Sequence, residues 1–247
     1  LVVYSLAAPT RILSDGGIAR SALKPIGSGY DGLTVDLNTK EIRNISLESA
    51  SDGEIQDTIK VMGGEDWELW IEELMKRDLL AQGFITTNYT YIGSEVTWPI
   101  YNQGTIGRAK EDLERAARAI SQKSSKKEGA AYLAVMKGLV TQAASAIPGM
   151  SVYLSLLFKV MKDKNLHEGC IEQAYRLFSE ELYSGANINI DQSGRIRLDT
   201  YELLKEVQEY VSENWSNFNI DTMDQIADFE GYRKDFMQIY GFDFENV

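Results

Sequence analysis

The sequence predicts an α/β protein: a parallel sheet flanked by helices through residue 183, then a small, mostly helical extension over 184–247. Three observations carry this prediction. Runs rich in apolar, β-branched or aromatic residues at 1–7, 84–91 and 131–140 have strand length and composition. Longer amphipathic stretches lie between them, and a strand that returns through a helix lies parallel to its predecessor. Beyond residue 183 the apolar spacing is that of helices, with only short strand-like pieces at 188–190 and 195–198.

In chain order, residues 1–7 read as a buried strand. The chain opens there without Met, and an initiating residue rarely sits inside a core strand, so the polypeptide is expected to be a fragment lacking its upstream part. Residues 8–60 are rich in Gly, Ser, Asn and Asp and read as a loop with one hairpin, 33–37 with 41–45, turning at Asn38-Thr39. Gly63-Gly64-Glu65-Asp66 starts a helix bearing Trp67, Trp70, Ile71, Leu74 and Leu79, with acidic residues in its first turn, and Gly83 ends it. A strand over 84–91, a helix over 106–121 and a second buried strand over 131–140 follow. A loop at 141–148 precedes helices over 151–164 and 168–183. The pieces 188–190 and 195–198 flank a tight turn at Asp191-Gln-Ser-Gly194. Asp199 is placed to cap a helix over 200–215, and a last helix covers 222–239.

Composition narrows the function. The chain has 247 residues, 44% hydrophobic and 25% charged, the profile of an ordinary globular protein. Its net charge of −12 argues against a nucleic-acid partner. A single cysteine, Cys170, excludes an intrachain disulfide framework, and with a single histidine, His167, no metal centre is expected. This usage suits a reducing cytoplasm. The most apolar run, 152–160, is too short for a membrane span and carries Lys159.

Tyr101 and Lys110 are the candidate reactive pair. A phenol beside a cation has its pKa brought down toward working pH, the usual tuning of an acid–base site. On an unbroken helix nine residues give on the order of 900° of rotation, which would set the two on opposite faces. Convergence therefore requires a break, and Gly104 and Gly107 lie where one is needed. The alternative is a helix start with an incidental tyrosine and a surface lysine. Ligands of such sheets bind beyond the carboxyl ends of the strands, here Ser5 to Pro9, Tyr91 to Gly93 and Leu139 to Thr141. Gly63-Gly64 matches no phosphate-loop pattern and Asp191 to Gly194 no calcium loop. His167 reads as structural, Cys170 as core, and the aromatics of 208–240 as packing.

Several blocks carry a resemblance. Residues 1–9, Ala22-Leu-Lys-Pro-Ile-Gly27, Val61-Met-Gly-Gly-Glu-Asp-Trp67 and Tyr101-x8-Lys110 are similar to the single-chain trans-2-enoyl-CoA reductases and to the enoyl-[acyl-carrier-protein] reductases of the FabV type. The similarity continues through Leu139-Val-Thr141, Ser145-Ala-Ile-Pro148, residues 155–162, residues 167–173 and Gly231-Tyr-Arg-Lys-Asp-Phe236, nearly the whole chain. The resemblance implies a partial Rossmann-type enzyme that uses NADH to reduce the 2,3 double bond of an enoyl-CoA or enoyl-acyl-carrier-protein in fatty-acid synthesis. It implies that Tyr101 donates the proton, Tyr91 contacts the thioester substrate, and Lys110 binds the cofactor and tunes the tyrosine. Leu6, Ala7, Leu139, Val140 and Thr141 correspond to cofactor-contacting segments.

Members of that family carry an upstream region with the first strand, a glycine-rich turn and an acidic ribose partner, which this chain lacks. On this reading residues 1–183 are the later part of a catalytic domain and 184–247 a small helical domain. The isolated chain, expected to be a monomer, binds NADH poorly. Two other readings stay open: a non-catalytic interaction module descended from such an enzyme, and a short-chain-type oxidoreductase acting on carbonyls.

Overall fold

The computed structural model describes residues 1–6 and 8–244. β1 (Val2–Tyr4) is followed by two antiparallel hairpins, β2 (Thr10–Ile12) with β3 (Ile18–Arg20) and β4 (Tyr30–Val35) with β5 (Ile42–Leu47). The second is the expected hairpin, shifted toward its open end. The rest of 8–60 is less of a loop than expected, because α1 (Asp52–Met62) follows. A capping box starts it: Ser51 Oγ accepts from the Glu54 amide while the Glu54 carboxylate accepts from the Ser51 amide.

Next come α2 (Glu65–Lys76), β6 (Ile85–Thr90), α3 (Thr105–Lys123), β7 (Ala130–Val135) and a short α4 (Gln142–Ser145). Then follow α5 (Met150–Asp163) and α6 (Cys170–Arg176), which runs into a π-helical turn at Leu177–Leu182. β8 (Arg195–Arg197), α7 (Lys205–Trp215), α8 (Met223–Ile226) and α9 (Phe229–Gln238) complete the chain.

The main sheet has the order β1-β6-β7-β8, and every neighbouring pair is parallel, with Val3 opposite Thr87, Thr87 opposite Tyr132 and Ala134 opposite Ile196. Its two faces follow the strand period of two. Ala131 and Leu133 of β7 pack on α2 and α3 through Trp67, Ile71, Leu113 and Ile120. Tyr132 and Ala134 turn the other way, onto Leu177 and Leu182. A third cluster surrounds α5, whose Val152, Leu156 and Phe158 are buried against Val207 and Val211 of α7 and Phe229 and Tyr232 of α9.

Four expectations change. β1 is the edge of the described sheet, with Val2 and Tyr4 half-buried and Val3 exposed, so it is not a fully buried strand. Residues 188–190 form no strand; Asp191 closes the turn by accepting from the Ser193 and Arg195 amides, and β8 joins β7 instead of a hairpin. Asp199 does not cap α7. It is buried and paired with Arg197 at 2.6 Å, and the helix begins at Lys205. The last helix is split where Ala227 becomes extended, and Asp228 caps the second piece through the Gly231 amide.

Candidate active site

Parallel strands end on one side, and the carboxyl ends of β1, β6 and β7 bring Leu6, Tyr91 and Leu139 to one edge of the sheet. Leu6 is exposed there, and Ala7 lies outside the described residues. Leu139 and Val140 are half-buried just past β7. Thr141 is exposed and its hydroxyl caps α4 by accepting from the Ala144 amide at 3.0 Å.

Tyr101 sits in the turns between Ser94 and Gly104 rather than on a helix, and α3 begins only after it. Two glycines make that entry possible. Gly104 is the extended N-cap of α3, held against the Ala22-to-Gly27 segment by a bridge to Pro25 and by the Thr105 amide donating to Lys24 O at 3.0 Å. The Tyr101 carbonyl accepts from both the Gly104 and Gly107 amides. A Cβ on Gly107 would lie 1.8 Å from the Asn102 carbonyl oxygen, so only glycine allows this crossing. The expected break is therefore present, and its cause is close backbone approach; neither glycine has a positive φ.

Tyr101 is buried at 6% exposure, and its ring meets that of Tyr91 edge-on, centroids 5.1 Å apart at 72°. Burial pushes the Tyr101 phenol above its ordinary pKa. Lys110 lies one helical turn beyond Ile106, which packs in the same cluster as Tyr101. Its half-buried ammonium makes no hydrogen bond or ion pair among the described residues, and burial lowers its pKa from 10.5 to about 8. No hydrogen bond joins Tyr101 to Lys110, and the direction of the tyrosine shift is upward rather than the downward one expected from a neighbouring cation.

The Tyr91 hydroxyl donates to Glu202 Oε1 at 2.8 Å. The same oxygen accepts from Tyr153 of α5 at 2.6 Å, and Oε2 accepts from the Gly138 amide at 2.5 Å. Burial raises the pKa of Glu202 and of both tyrosines. Beside it Lys137, 1% exposed, donates to the Gly138 and Glu168 carbonyls and stands 4.7 Å from the Phe158 ring centroid; burial brings its pKa down to about 8. Sequence reasoning missed Gly138, Tyr153, Lys137 and Glu202. A carboxylate between Tyr201 and two leucines was the one visible signal. The other two expectations divide: His167 packs its ring 4.5 Å from Phe158, while Cys170 is exposed rather than core.

Residues 1–183 match the family model described as the trans-2-enoyl-CoA reductase catalytic region. The chain belongs to that family. Residues 190–247 match a second model, described as the enoyl reductase FAD binding domain. The enoyl-[acyl-carrier-protein] reductase [NADH] of Serratia proteamaculans is 48% identical across 100% of this chain and 62% of its own length. The trans-2-enoyl-CoA reductase [NADH] of Brachyspira hyodysenteriae is 47% identical across 100% of the chain and 64% of its own length. The crystal structure of Clostridium acetobutulicum trans-2-enoyl-CoA reductase in complex with NADH superposes with a TM-score of 0.97 at 45% identity, covering 99% of this chain and 62% of that one. The chain thus spans less than two thirds of these enoyl reductases.

The flavin implied by the second model's description does not fit these residues. Val207, Val211, Phe218, Phe229 and Tyr232 are buried in packing around α5, and 190–247 holds thirteen acidic residues against five basic, a poor match for a dinucleotide pyrophosphate.

Proposed function

We propose that this chain carries the proton-donating part of an NADH-dependent reductase of trans-2-enoyl thioesters, enoyl-CoA or enoyl-acyl-carrier-protein, in fatty-acid synthesis. The observation that carries it is the pair of phenol rings in contact at the strand ends, half-buried Tyr91 bonded to Glu202 and buried Tyr101 with no hydrogen-bond partner for its hydroxyl among the described residues. NADH supplies the hydride when bound. The residues suit its nicotinamide–ribose end: Lys110 offers a half-buried ammonium without a partner among the described residues, and residues 139–141 with Leu6 offer strand-end backbone.

Hydride addition at C3 places negative charge on the thioester oxygen, and a preorganised donor there lowers the barrier. Tyr101 is that donor. Burial keeps its phenol protonated at neutral pH, so it enters the reaction carrying the proton that C2 receives. One C=C bond is lost, and two C–H bonds form from one hydride and one proton. Lys110 would hold the cofactor, and the Tyr91 ring packs against Tyr101 on one side of the site.

Residues 1–183 act as the catalytic region and 184–247 as a supporting helical unit, in a cytoplasmic monomer. Among the described residues no helix is long and apolar enough to cross a membrane, and no His, Cys, Asp and Glu group could hold a metal. The test is NADH oxidation by the full-length gene product with crotonyl-CoA, compared with a saturated 3-keto thioester. Turnover with crotonyl-CoA alone supports the reading. Preference for the 3-keto thioester assigns carbonyl reduction instead, and inactivity with both leaves an interaction module.

A further inference from the structure

We propose that Glu202 is a positioning residue that fixes the hydrogen-bond polarity of the site, holding Tyr91 as a donor to itself so that Tyr101 alone is left to donate to substrate. This rests on the reductase reading and deepens it. A phenol has one hydrogen to give. The Tyr91 hydrogen is directed to Glu202 Oε1 at 2.8 Å, and the Tyr153 hydrogen to the same oxygen at 2.6 Å. The other carboxylate oxygen takes the Gly138 amide, which cannot reverse its role. Toward a substrate, Tyr91 therefore presents only lone pairs, and it cannot act as a second donor to the thioester oxygen.

The surroundings hold this arrangement in place. Glu202 is fully buried, and its own carbonyl accepts from Gln208 Nε2 at 2.6 Å. Gln208 also donates to the Tyr153 oxygen at 3.4 Å, which leaves the Tyr153 hydrogen for the carboxylate. Position 138 must be small: a Cβ there would lie 2.8 Å from a Leu154 methyl and 3.6 Å from Glu202 Oε2. A buried carboxylate is costly unless it is well bonded; three donors and the nearby Lys137 cation counter part of that cost, while burial still leaves the Glu202 pKa raised. The residue comes from the segment before α7, so the carboxy-terminal part of the chain sets the chemistry of a tyrosine that follows β6.

Glu202→Gln tests this in the full-length gene product. The glutamine oxygen stays on the Gly138 amide and its NH2 faces both phenols, so each phenol changes from donor to acceptor and Tyr91 gains a free hydrogen. In the wild-type background Tyr101→Phe is expected to lower kcat with crotonyl-CoA at least 100-fold. In the Glu202→Gln background the same change is expected to cost at least tenfold less, because Tyr91 then has a hydrogen to donate. Equal losses in the two backgrounds would reduce Glu202 to a packing role and overturn the proposal.

If Glu202→Gln does not fold, Tyr91→Phe decides. It removes no donor to substrate and is expected to change KM with less than a tenfold loss of kcat, whereas a kcat loss as large as that of Tyr101→Phe refutes the assignment. An activity-free readout separates this from failure of the reductase reading. The Tyr91 and Tyr153 ring-carbon NMR shifts, measured without substrate, should both move on Glu202→Gln; unchanged shifts overturn the proposal even in an inactive protein.

Discussion

Lys110 and His167 show how burial without a hydrogen-bond partner among the described residues turns single residues into pH-dependent groups. Lys110 titrates at about 8 instead of 10.5, so its ammonium is lost just above neutrality. NADH affinity, measured by calorimetric titration of the full-length gene product, should fall as pH rises through about 8. Lys110→Arg should keep binding above that pH, and Lys110→Met should weaken it at every pH. His167 is held down by burial, then by Lys137 and Lys162, from 6.5 to about 3. The unfolded chain takes up this proton below pH 6.5 and the folded chain does not until about pH 3. Stability from this group is therefore present above 6.5 and lost as pH falls through that window. Thermal unfolding should show a Tm falling from pH 7.5 to pH 5, and His167→Gln should reduce that fall.

The α3 entry is the element on which the site's geometry depends. Gly107→Ala forces a methyl group against a backbone oxygen and should cost about 1–3 kcal/mol in denaturant unfolding. It should also lower turnover, since the displaced turn carries Tyr101. This element was legible in advance: Tyr101-x8-Lys110 with two intervening glycines requires a break in the helix. The parallel β1, β6 and β7 were legible from their apolar runs, and α3 from its Ala, Arg and Glu content. α1 was missed although Ser51-Asp-Gly-Glu54 spells a capping box, because the surrounding Gly and Ser content read as loop. The Tyr–Lys tuning was misjudged for another reason. Spacing shows whether two residues can converge, but the pKa direction depends on how deeply the phenol is enclosed. Glu202 could not be paired with Tyr91 from sequence, because the two are 111 residues apart and meet only through tertiary folding.

Across the whole molecule, β8 and Glu202 tie the carboxy-terminal segment to the sheet, and α5 is the element on which both parts pack. Leu154 of α5 is fully buried and touches the Gly138 position. Leu154→Ala should cost about 2–5 kcal/mol, and calorimetry should show one unfolding transition displaced as a unit; two peaks, with only one displaced, would mean separate folding units. In the proposed reductive chemistry the proton comes from one buried phenol, that of Tyr101. Single-turnover reduction of crotonyl-CoA by the full-length gene product carrying Tyr101→Phe examines this most directly. The expected result is an intact fold, retained NADH binding and a rate at least 100-fold below wild type; a rate within a few-fold of wild type would rule out Tyr101 as the proton donor.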